Sequence, residues 1–255
     1  MRRIHLFEFE DQSWFPNIFR EGITDYLQYA SNKIDIYKPI MGIIYKGIEK
    51  TNTKTIIDIC SGGGGGVMKI LEHIKAKHPD IKIILTDKYP NIDAFKNLKT
   101  QSNGNIDYIE TSIDATDIPN ELKGFRTQFV SFHHFSPNNA FKILENAAKN
   151  KATIGIFEVT ERTFKNFILM LLTPLVVMAV TPFIKPYKFS RLFFTYIIPI
   201  IPFCTMWDGL VSVLRTYSIK ELQEMVNEIN APDYCWEIGY VESSPRVIYL
   251  LGYSK

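Results

Sequence analysis

The most informative part of the chain is residues 55–67, Thr55-Ile56-Ile57-Asp58-Ile59-Cys60-Ser61-Gly62-Gly63-Gly64-Gly65-Gly66-Val67. Its first half is a short apolar run, which predicts a buried strand over residues 54–60. Its second half is five consecutive glycines, and the residues after them predict a helix over 67–77. Glycine lets the backbone approach a ligand, and a helix N-terminus offers N–H groups to it. The sequence therefore predicts a site for an anionic or polar ligand at this turn.

The same alternation of strand and helix continues along the chain. A four-residue connection, 242–245, predicts a hairpin between the last two strands, so one strand of the sheet should be antiparallel. The other strands alternate with helices, which is typical of a doubly wound parallel sheet. The expected fold class is α/β: a Rossmann-like, mostly parallel seven-stranded sheet with an antiparallel last strand, N-terminal helices and an inserted apolar helical cap. Strands are predicted at 54–60, 81–86, 105–110, 125–132, 152–159, 235–241 and 246–253.

The alternation is interrupted by a very apolar segment. Residues 162–207 contain five basic side chains and no acidic one, although the whole chain has 29 basic and 27 acidic residues. The remaining residues are therefore mildly acidic. This contrast divides the chain into an N-terminal helical lid (1–50), an α/β domain (51–161 and 208–255) and a basic apolar insertion (162–207).

Composition excludes several classes of protein. With 255 residues, of which 46% are apolar and 22% charged, the chain is not disordered, collagen-like or a disulfide scaffold. A net charge of +2 gives no reason to expect a nucleic-acid partner. Its three widely spaced cysteines include no C-x-x-C pair, so we expect no metal site and a reducing, cytoplasmic location. The acid Glu8 precedes any long apolar run, so we expect no secretory signal peptide.

The segment Asp58-Ile59-Cys60-Ser61-Gly62-Gly63-Gly64 resembles the D-x-G-x-G-x-G motif of class I S-adenosylmethionine-dependent methyltransferases, with Cys60 in place of the first glycine. Asp87 follows the second strand, where that family binds the ribose hydroxyls, and Asp114 follows the third, where it commonly faces the adenine amino group. The resemblance implies S-adenosylmethionine as cofactor and most of the chain as its domain. The donor-binding residues that it implies are Asp58, Cys60, Ser61, Gly62, Gly63, Gly64, Asp87, Lys88, Asp114, Ala115 and Ser131.

Other interpretations of this loop stay open. A dinucleotide fingerprint G-x-G-x-x-G aligned on Gly62 fails because Val67 occupies its last glycine, but an NAD(P)-dependent oxidoreductase would use the same strand ends. A non-catalytic membrane- or partner-binding protein on this fold is a further alternative. Glycines and aspartates also serve simply as turn residues.

Residues for the acceptor side are less clearly marked. His133 and His134 follow the fourth strand, and either could be a general base or a packing and capping residue. Asp208 is the third catalytic candidate, with an alternative as the N-cap of a helix whose solvated face carries Arg215. We expect a small, lipophilic or amphipathic acceptor under the insertion and the N-terminal helices. The substrate-binding candidates are Trp14, Phe15, Trp207 and Arg215, the first two with a core role as alternative.

The insertion itself contains two uncharged runs, at 167–184 and 192–207. Both are short or marginal for a membrane span, which needs about 20 apolar residues. The segment could cap an apolar substrate pocket. Alternatively, it could contact the inner face of a membrane, with Lys185, Lys188 and Arg191 at anionic headgroups. Burial in a homodimer or in a core are the remaining alternatives.

Overall fold

The computed structural model describes residues 2–255. Single 3-10 turns lie at Lys38–Ile40, Phe132–His134 and Thr181–Phe183. The α-helices are α1 (Asn17–Ile34), α2 (Met41–Glu49), α3 (Val67–Lys77), α4 (Ile92–Gln101), α5 (Pro137–Lys149), α6 (Phe164–Leu171), α7 (Thr173–Val180), α8 (Phe189–Tyr196), α9 (Ile200–Arg215) and α10 (Ile219–Asn227). The strands are β1 (Thr55–Ile59), β2 (Lys82–Thr86), β3 (Ile106–Tyr108), β4 (Phe125–Phe129), β5 (Ile154–Glu158), β6 (Tyr234–Val241) and β7 (Val247–Ser254).

These strands form one seven-stranded sheet in the order β3-β2-β1-β4-β5-β7-β6. The five strands from β3 to β5 are parallel, and β7 pairs antiparallel with both β5 and β6. The predicted doubly wound α/β fold with an antiparallel last strand is therefore confirmed. Because β1 is central, its apolar residues are buried, as their continuous run indicated.

The strand predicted at 125–132 is shorter than expected. The backbone of Val130 has φ +47°, in the left-handed region, and the chain then enters the turn at Phe132–His134. A β-branched residue rarely adopts this conformation, so no sequence pattern indicates it. As a result, the polar residues after β4 lie on a turn and not on an extended strand.

The chain divides into two compact units. The sheet unit comprises Asp35–Val159 and Ser218–Lys255, and the helical unit comprises the chain up to Ile34 together with Thr160–Tyr217. These boundaries differ from the sequence-based ones at 50 and 207. Residues 35–50 belong to the sheet unit because Ile40, Ile44 and Ile48 join its hydrophobic core. Residues 208–215 belong to the helical unit because they continue α9.

Each unit has a core of its own. In the sheet unit, α2 packs closely on the sheet at Gly47, where an added Cβ would lie 2.3 Å from the ring of Phe125. In the helical unit, α1 approaches α9 at Gly22, where an added Cβ would lie 2.4 Å from Ile201. Around this contact, the core residues of the helical unit are Phe15, Ile23, Tyr26, Val177, Ile184, Ile201 and Cys204.

The helices of residues 2–255 differ in whether they could cross a membrane singly or in pairs. Taken singly, none of these helices combines enough length and apolarity to cross a bilayer. Two bent pairs reach the required length and composition together: Phe164–Leu171 with Thr173–Phe183, bent by 47°, and Phe189–Tyr196 with Ile200–Arg215, bent by 75°.

Two glycines of α2 provide a test of the packing. Gly47→Ala should lower the free energy of unfolding by about 1–3 kcal/mol, because the added Cβ would overlap the fully buried Phe125 ring. Gly42→Ala on the same helix meets no atom within 4 Å and should leave stability equal or raise it by up to about 1 kcal/mol. Urea denaturation measures both, and equal effects of the two substitutions would contradict the packing argument.

Candidate functional site

Polar side chains gather at one edge of the sheet. Since β1, β2, β4 and β5 are parallel, their carboxyl ends lie at the same edge, where ligands bind in open α/β sheets. Asp58 lies near the end of β1, Asp87 directly follows β2, Ser131 follows β4 and Glu158 ends β5. The residues that the sequence singled out after these strands are therefore brought together.

The glycine loop has the conformation that its composition allows. Cys60, Gly62, Gly64 and Gly65 all have positive φ, with values of +59°, +54°, +82° and +35°. An added Cβ at Gly64 would also lie 2.2 Å from Leu98, so this position requires glycine for both backbone conformation and space. The last glycine of the loop, Gly66, is the N-cap residue of α3.

Asp58, near the end of β1, is hydrogen-bonded to this loop. Its buried carboxylate accepts hydrogen bonds from the Ser61 hydroxyl at 2.7 Å and the Thr127 hydroxyl at 3.1 Å. Burial raises the pKa of Asp58 to about 7, and the two hydroxyl donors only partly oppose that rise. Asp58 is thus an internal anchor that joins β1, β4 and the loop.

Asp87 connects the loop to β2. One of its carboxylate oxygens accepts the Gly62 N–H at 2.8 Å, and the other accepts the Tyr89 N–H at 2.8 Å. The side chain is half-buried, so it can still be reached by a ligand. Near this carboxylate, burial and the charges of Asp87, Asp58 and Asp114 raise the pKa of the Cys60 thiol.

Asp114 and Lys88 engage each other. Their side chains form an ion pair at 2.8 Å, and Asp114 also accepts hydrogen bonds from the backbone and the hydroxyl of Thr116. The Lys88 hydrogen bond and these contacts hold the pKa of Asp114 at about 2. The neighbouring Ala115 is buried.

Tyr37 is a site residue that no sequence motif marks. Its buried ring packs on Gly66, where an added Cβ would lie 2.4 Å away, and meets Phe129 edge-on with ring centroids 5.2 Å apart. Burial, followed by the charges of Asp58 and Glu158, raises the pKa of its hydroxyl. Tyr37 lines a cavity of about 50 Å³ together with the glycine loop, Asp58 and Phe129.

The ends of β4 and β5 form a histidine–carboxylate dyad. His133 Nδ1 lies 2.7 Å from one carboxylate oxygen of Glu158, and both side chains are buried. The other oxygen of Glu158 accepts the Phe132 N–H at 2.8 Å, which fixes the carboxylate. The His134 ring lies beside that of His133, with centroids 4.3 Å apart. Sequence analysis missed Glu158, although an acid at a strand end is the same signal that marked Asp87.

Within the helical unit, the candidates on α9 bind the N-terminal segment. Asp208 accepts the backbone N–H groups of Phe9 at 2.7 Å and Glu10 at 3.2 Å. Burial raises the pKa of Asp208 to about 6, against the effect of these two donors. The expectation that Asp208 caps a helix is wrong, because α9 begins eight residues earlier, at Ile200.

Arg215 and Trp207 have the same clamping role. Arg215 donates to the Leu6 carbonyl at 2.8 Å and pairs with Asp11 at 2.8 Å, while the Trp207 indole N–H donates to the Phe7 carbonyl at 3.0 Å. Arg215 is buried, so its expected place on a solvated helix face is wrong. These contacts, together with a buried ion pair between Arg215 and Glu8 at 3.3 Å, hold the segment on α9.

The two aromatic candidates near the start of the chain have different environments. Trp14 is 65% exposed, whereas Phe15 belongs to the core of the helical unit. Phe15 therefore has the core role that sequence analysis gave as its alternative.

Comparison with known proteins identifies the fold of this chain through solved structures only. No protein-family model and no curated protein matches the sequence. Three solved structures are similar: a protein described as an O-methyltransferase from Nostoc punctiforme PCC 73102 (12% identity, TM-score 0.51), an O-methyltransferase family protein from Burkholderia thailandensis (14%, 0.50) and PigF with S-adenosylhomocysteine (18%, 0.50). They match 94%, 91% and 96% of this chain, which spans 61%, 59% and 63% of theirs.

This chain has the class I methyltransferase fold.

In open α/β sheets, the edge described above is the one expected to bind a ligand. One observation of this structure is consistent with a polar ligand at this edge. The Ser131 hydroxyl is buried and has no hydrogen-bond partner among the described residues, although it lies directly after β4. A buried hydroxyl without a partner is costly, and a bound ligand would satisfy it.

Asp58 gives this fold a measurable pH dependence. Because its pKa of about 7 lies above the value near 3.9 of an unfolded aspartate, the folded state binds its proton more tightly. The free energy of unfolding should therefore fall as pH rises from about 4 to 7, and Asp58→Asn should make this fall smaller. The remaining fall is the share of Asp208, whose pKa is also raised, to about 6. Urea denaturation across that range measures it.

Asp114→Asn is the matched control. The pKa of Asp114 is depressed, so its effect on stability belongs to pH values below about 4. That variant should keep the wild-type slope between about pH 4 and pH 7. An unchanged slope in Asp58→Asn would show that Asp58 titrates outside this range.

Proposed function

We propose that this protein transfers a methyl group from S-adenosylmethionine to a hydroxyl group of a small, apolar or amphipathic acceptor. The observation that carries the proposal is the single sheet edge that holds both the Asp58–glycine loop–Asp87 system and the His133–Glu158 dyad. The first part suits the donor, and the second suits deprotonation of the acceptor. The similar structures described as O-methyltransferases support oxygen as the acceptor atom.

The donor would be held by the acids and the loop. S-adenosylmethionine supplies a methyl group on a positively charged sulfur, which makes that methyl open to attack by a nucleophile. The half-buried Asp87 carboxylate can accept hydrogen bonds from hydroxyl groups, and the Ser131 hydroxyl can pair with a polar group. Asp58 keeps the loop in place through the hydrogen bonds that it accepts from Ser61 and Thr127.

The charge of this edge favours S-adenosylmethionine over a dinucleotide. A pyrophosphate needs N–H groups from the glycine loop and tolerates few acids nearby. Here the Gly62 N–H already donates to Asp87. Lys88, which follows Asp87 in the chain, is paired with Asp114. A ligand with hydroxyl groups and a positive charge fits these carboxylates better.

His133 would act as the general base. In the tautomer with its proton on Nδ1, His133 donates that proton to Glu158 in a hydrogen bond, and Nε2 would be the ring nitrogen that takes the proton of the acceptor hydroxyl. The fixed carboxylate of Glu158 then stabilises the imidazolium, because the pair is buried and poorly screened. The aromatic rings of Tyr37 and Phe129 beside the loop support an apolar acceptor.

Donor binding is the first test. The wild-type protein should release or absorb heat on titration with S-adenosylhomocysteine. Asp87→Ala should weaken that binding at least about tenfold, because hydrogen bonds to a charged group are lost. Asp233→Ala, an exposed aspartate before β6, should bind as the wild type does. Absence of heat in the wild type would contradict the proposal, and heat with NAD(H) alone would favour the oxidoreductase.

The dyad is tested by transfer of a labelled methyl group into a panel of phenols and long-chain alcohols. His133→Ala and Glu158→Gln should lower kcat by about 10²- to 10⁴-fold, the usual contribution of a general base, while S-adenosylhomocysteine binding stays unchanged. His73→Ala is the control, since His73 forms a histidine–carboxylate pair with Asp35, at 2.9 Å, that is not part of the dyad. Full activity of His133→Ala would exclude the base role but not donor binding.

A further inference from the structure

Two helices of the helical unit bury polar residues and expose apolar ones. Helix α7 buries Thr173 together with Val177 but exposes Leu175 and Val176. Helix α8 likewise buries Arg191 and Thr195 while Phe189 is exposed. A helix on the surface of a water-soluble protein turns its apolar stripe inward and its polar residues outward. These two helices therefore depart from that pattern.

This exposed apolar surface is concentrated in one part of the chain. All but two of the exposed large apolar side chains of the described residues belong to the helical unit, the exceptions being Tyr89 and Tyr240. Helix α6 has no buried residue at all, although five of its eight side chains are aliphatic or Phe. Leu169 is exposed as well, but most exposed apolar residues from the start of α6 to Val176 in α7 recur three and four positions apart: Phe164, Ile168, Leu171, Leu172, Leu175 and Val176.

The buried polar groups show why this arrangement holds together. Arg191 donates to the carbonyls of Ile184 and Pro186 at 2.7 Å each and pairs with Asp25. Lys188 pairs with Asp25 and Glu21. The expectation that these two cations meet lipid headgroups is therefore wrong, because they tie the segment to α1. Polar residues that point inward and apolar residues that point outward are typical of protein surfaces in contact with lipid.

We propose that α6, α7 and α8 form a lipid-contacting face that inserts shallowly into one leaflet of an anionic bilayer. The bends of 47° and 75° favour helices that lie in the membrane plane over helices that cross it. Lys165 and Lys185 are exposed at the two ends of the α6–α7 segment, and Tyr187 beside Lys185 is exposed as well. Lysine and tyrosine at the rim of an apolar face suit the headgroup region.

Charge distinguishes a bilayer from a second copy of the chain. Residues 162–207 contain no acid, so two such faces in a symmetric dimer would bring lysines together without acidic partners from this segment. Anionic lipids supply the complementary charge instead. The face and its lysines belong to the helical unit alone, so the proposal stands or falls independently of methyl transfer.

Vesicle flotation tests this face. The full-length wild-type protein should float with vesicles of equimolar phosphatidylcholine and phosphatidylglycerol and less with pure phosphatidylcholine. Leu175→Ser/Phe183→Ser should weaken binding at least about tenfold, because both side chains are about two-thirds exposed and would leave the lipid. Tyr89→Ser/Tyr240→Ser, which removes the two exposed aromatic side chains of the sheet unit, should float as the wild type does.

Charge reversal tests the rim. Lys165→Glu/Lys185→Glu should weaken binding to the anionic vesicles by about fivefold or more for each lysine, since a cation near an anionic surface contributes about 1 kcal/mol. Lys54→Glu/Lys220→Glu on the sheet unit is the matched control and should have no effect. Circular dichroism checks that all four variants stay folded, which is expected because the replaced side chains are exposed.

The proposal is overturned if the wild type does not float with either vesicle, or if Leu175→Ser/Phe183→Ser floats as well as the wild type. It is also overturned if light scattering shows a dimer that these two substitutions convert to a monomer while vesicles bind neither form. In that case a second copy covers the face.

Discussion

A buried carboxylate, that of Asp58, is the constraint on which the candidate site depends. It lies in the central strand, and its two hydroxyl partners come from the loop that follows β1 and from β4. A buried carboxylate without partners would be costly, so these hydroxyls must stay where they are. The loop therefore has a defined path over the sheet edge before any ligand arrives. The left-handed backbone at Gly62 and Gly64 follows from that path.

The same edge combines two electrostatic environments. Asp87 and Asp114 lie in half-exposed positions, where water and neighbouring donors stabilise their charge. Glu158 and His133 are enclosed, so their interaction is hardly screened by solvent. A reaction that binds a polar donor and moves one proton needs both environments within reach of each other. Parallel strands provide this, because each strand ends at the same edge with a different neighbour.

The sequence predicted the sheet and the glycine loop better than Glu158 and Tyr37, because the signals for the sheet and the loop lie close together in the chain. Strand residues in a parallel sheet are buried on both faces, so their apolar runs are visible without knowledge of the partners. The glycine loop and Asp87 follow directly from such runs. Glu158 has the same strand-end position as Asp87, but its pairing with His133 and the place of Tyr37 depend on which segments meet in space.

The helical unit illustrates a second limit of sequence analysis. Asp208, Arg215 and Arg191 stood out because they are charged residues within apolar sequence. Their partners are backbone groups and acids more than 150 positions away or in irregular segments, so their clamping roles appear only in the structure. The charge pattern of residues 162–207 was informative as a whole, although two of its five cations, Lys188 and Arg191, pair with acids of α1.

The position of β7 has a consequence for how the chain assembles. β7 lies between β5 and β6, yet almost ninety residues separate the end of β5 from its start. While the helical unit and β6 are being synthesised, β5 presents an unpaired hydrogen-bonding edge next to very apolar sequence. Such an edge is a template for pairing with another chain. Newly made protein should therefore be most prone to aggregate during this interval, and to depend most on chaperones, before the last strand closes the sheet.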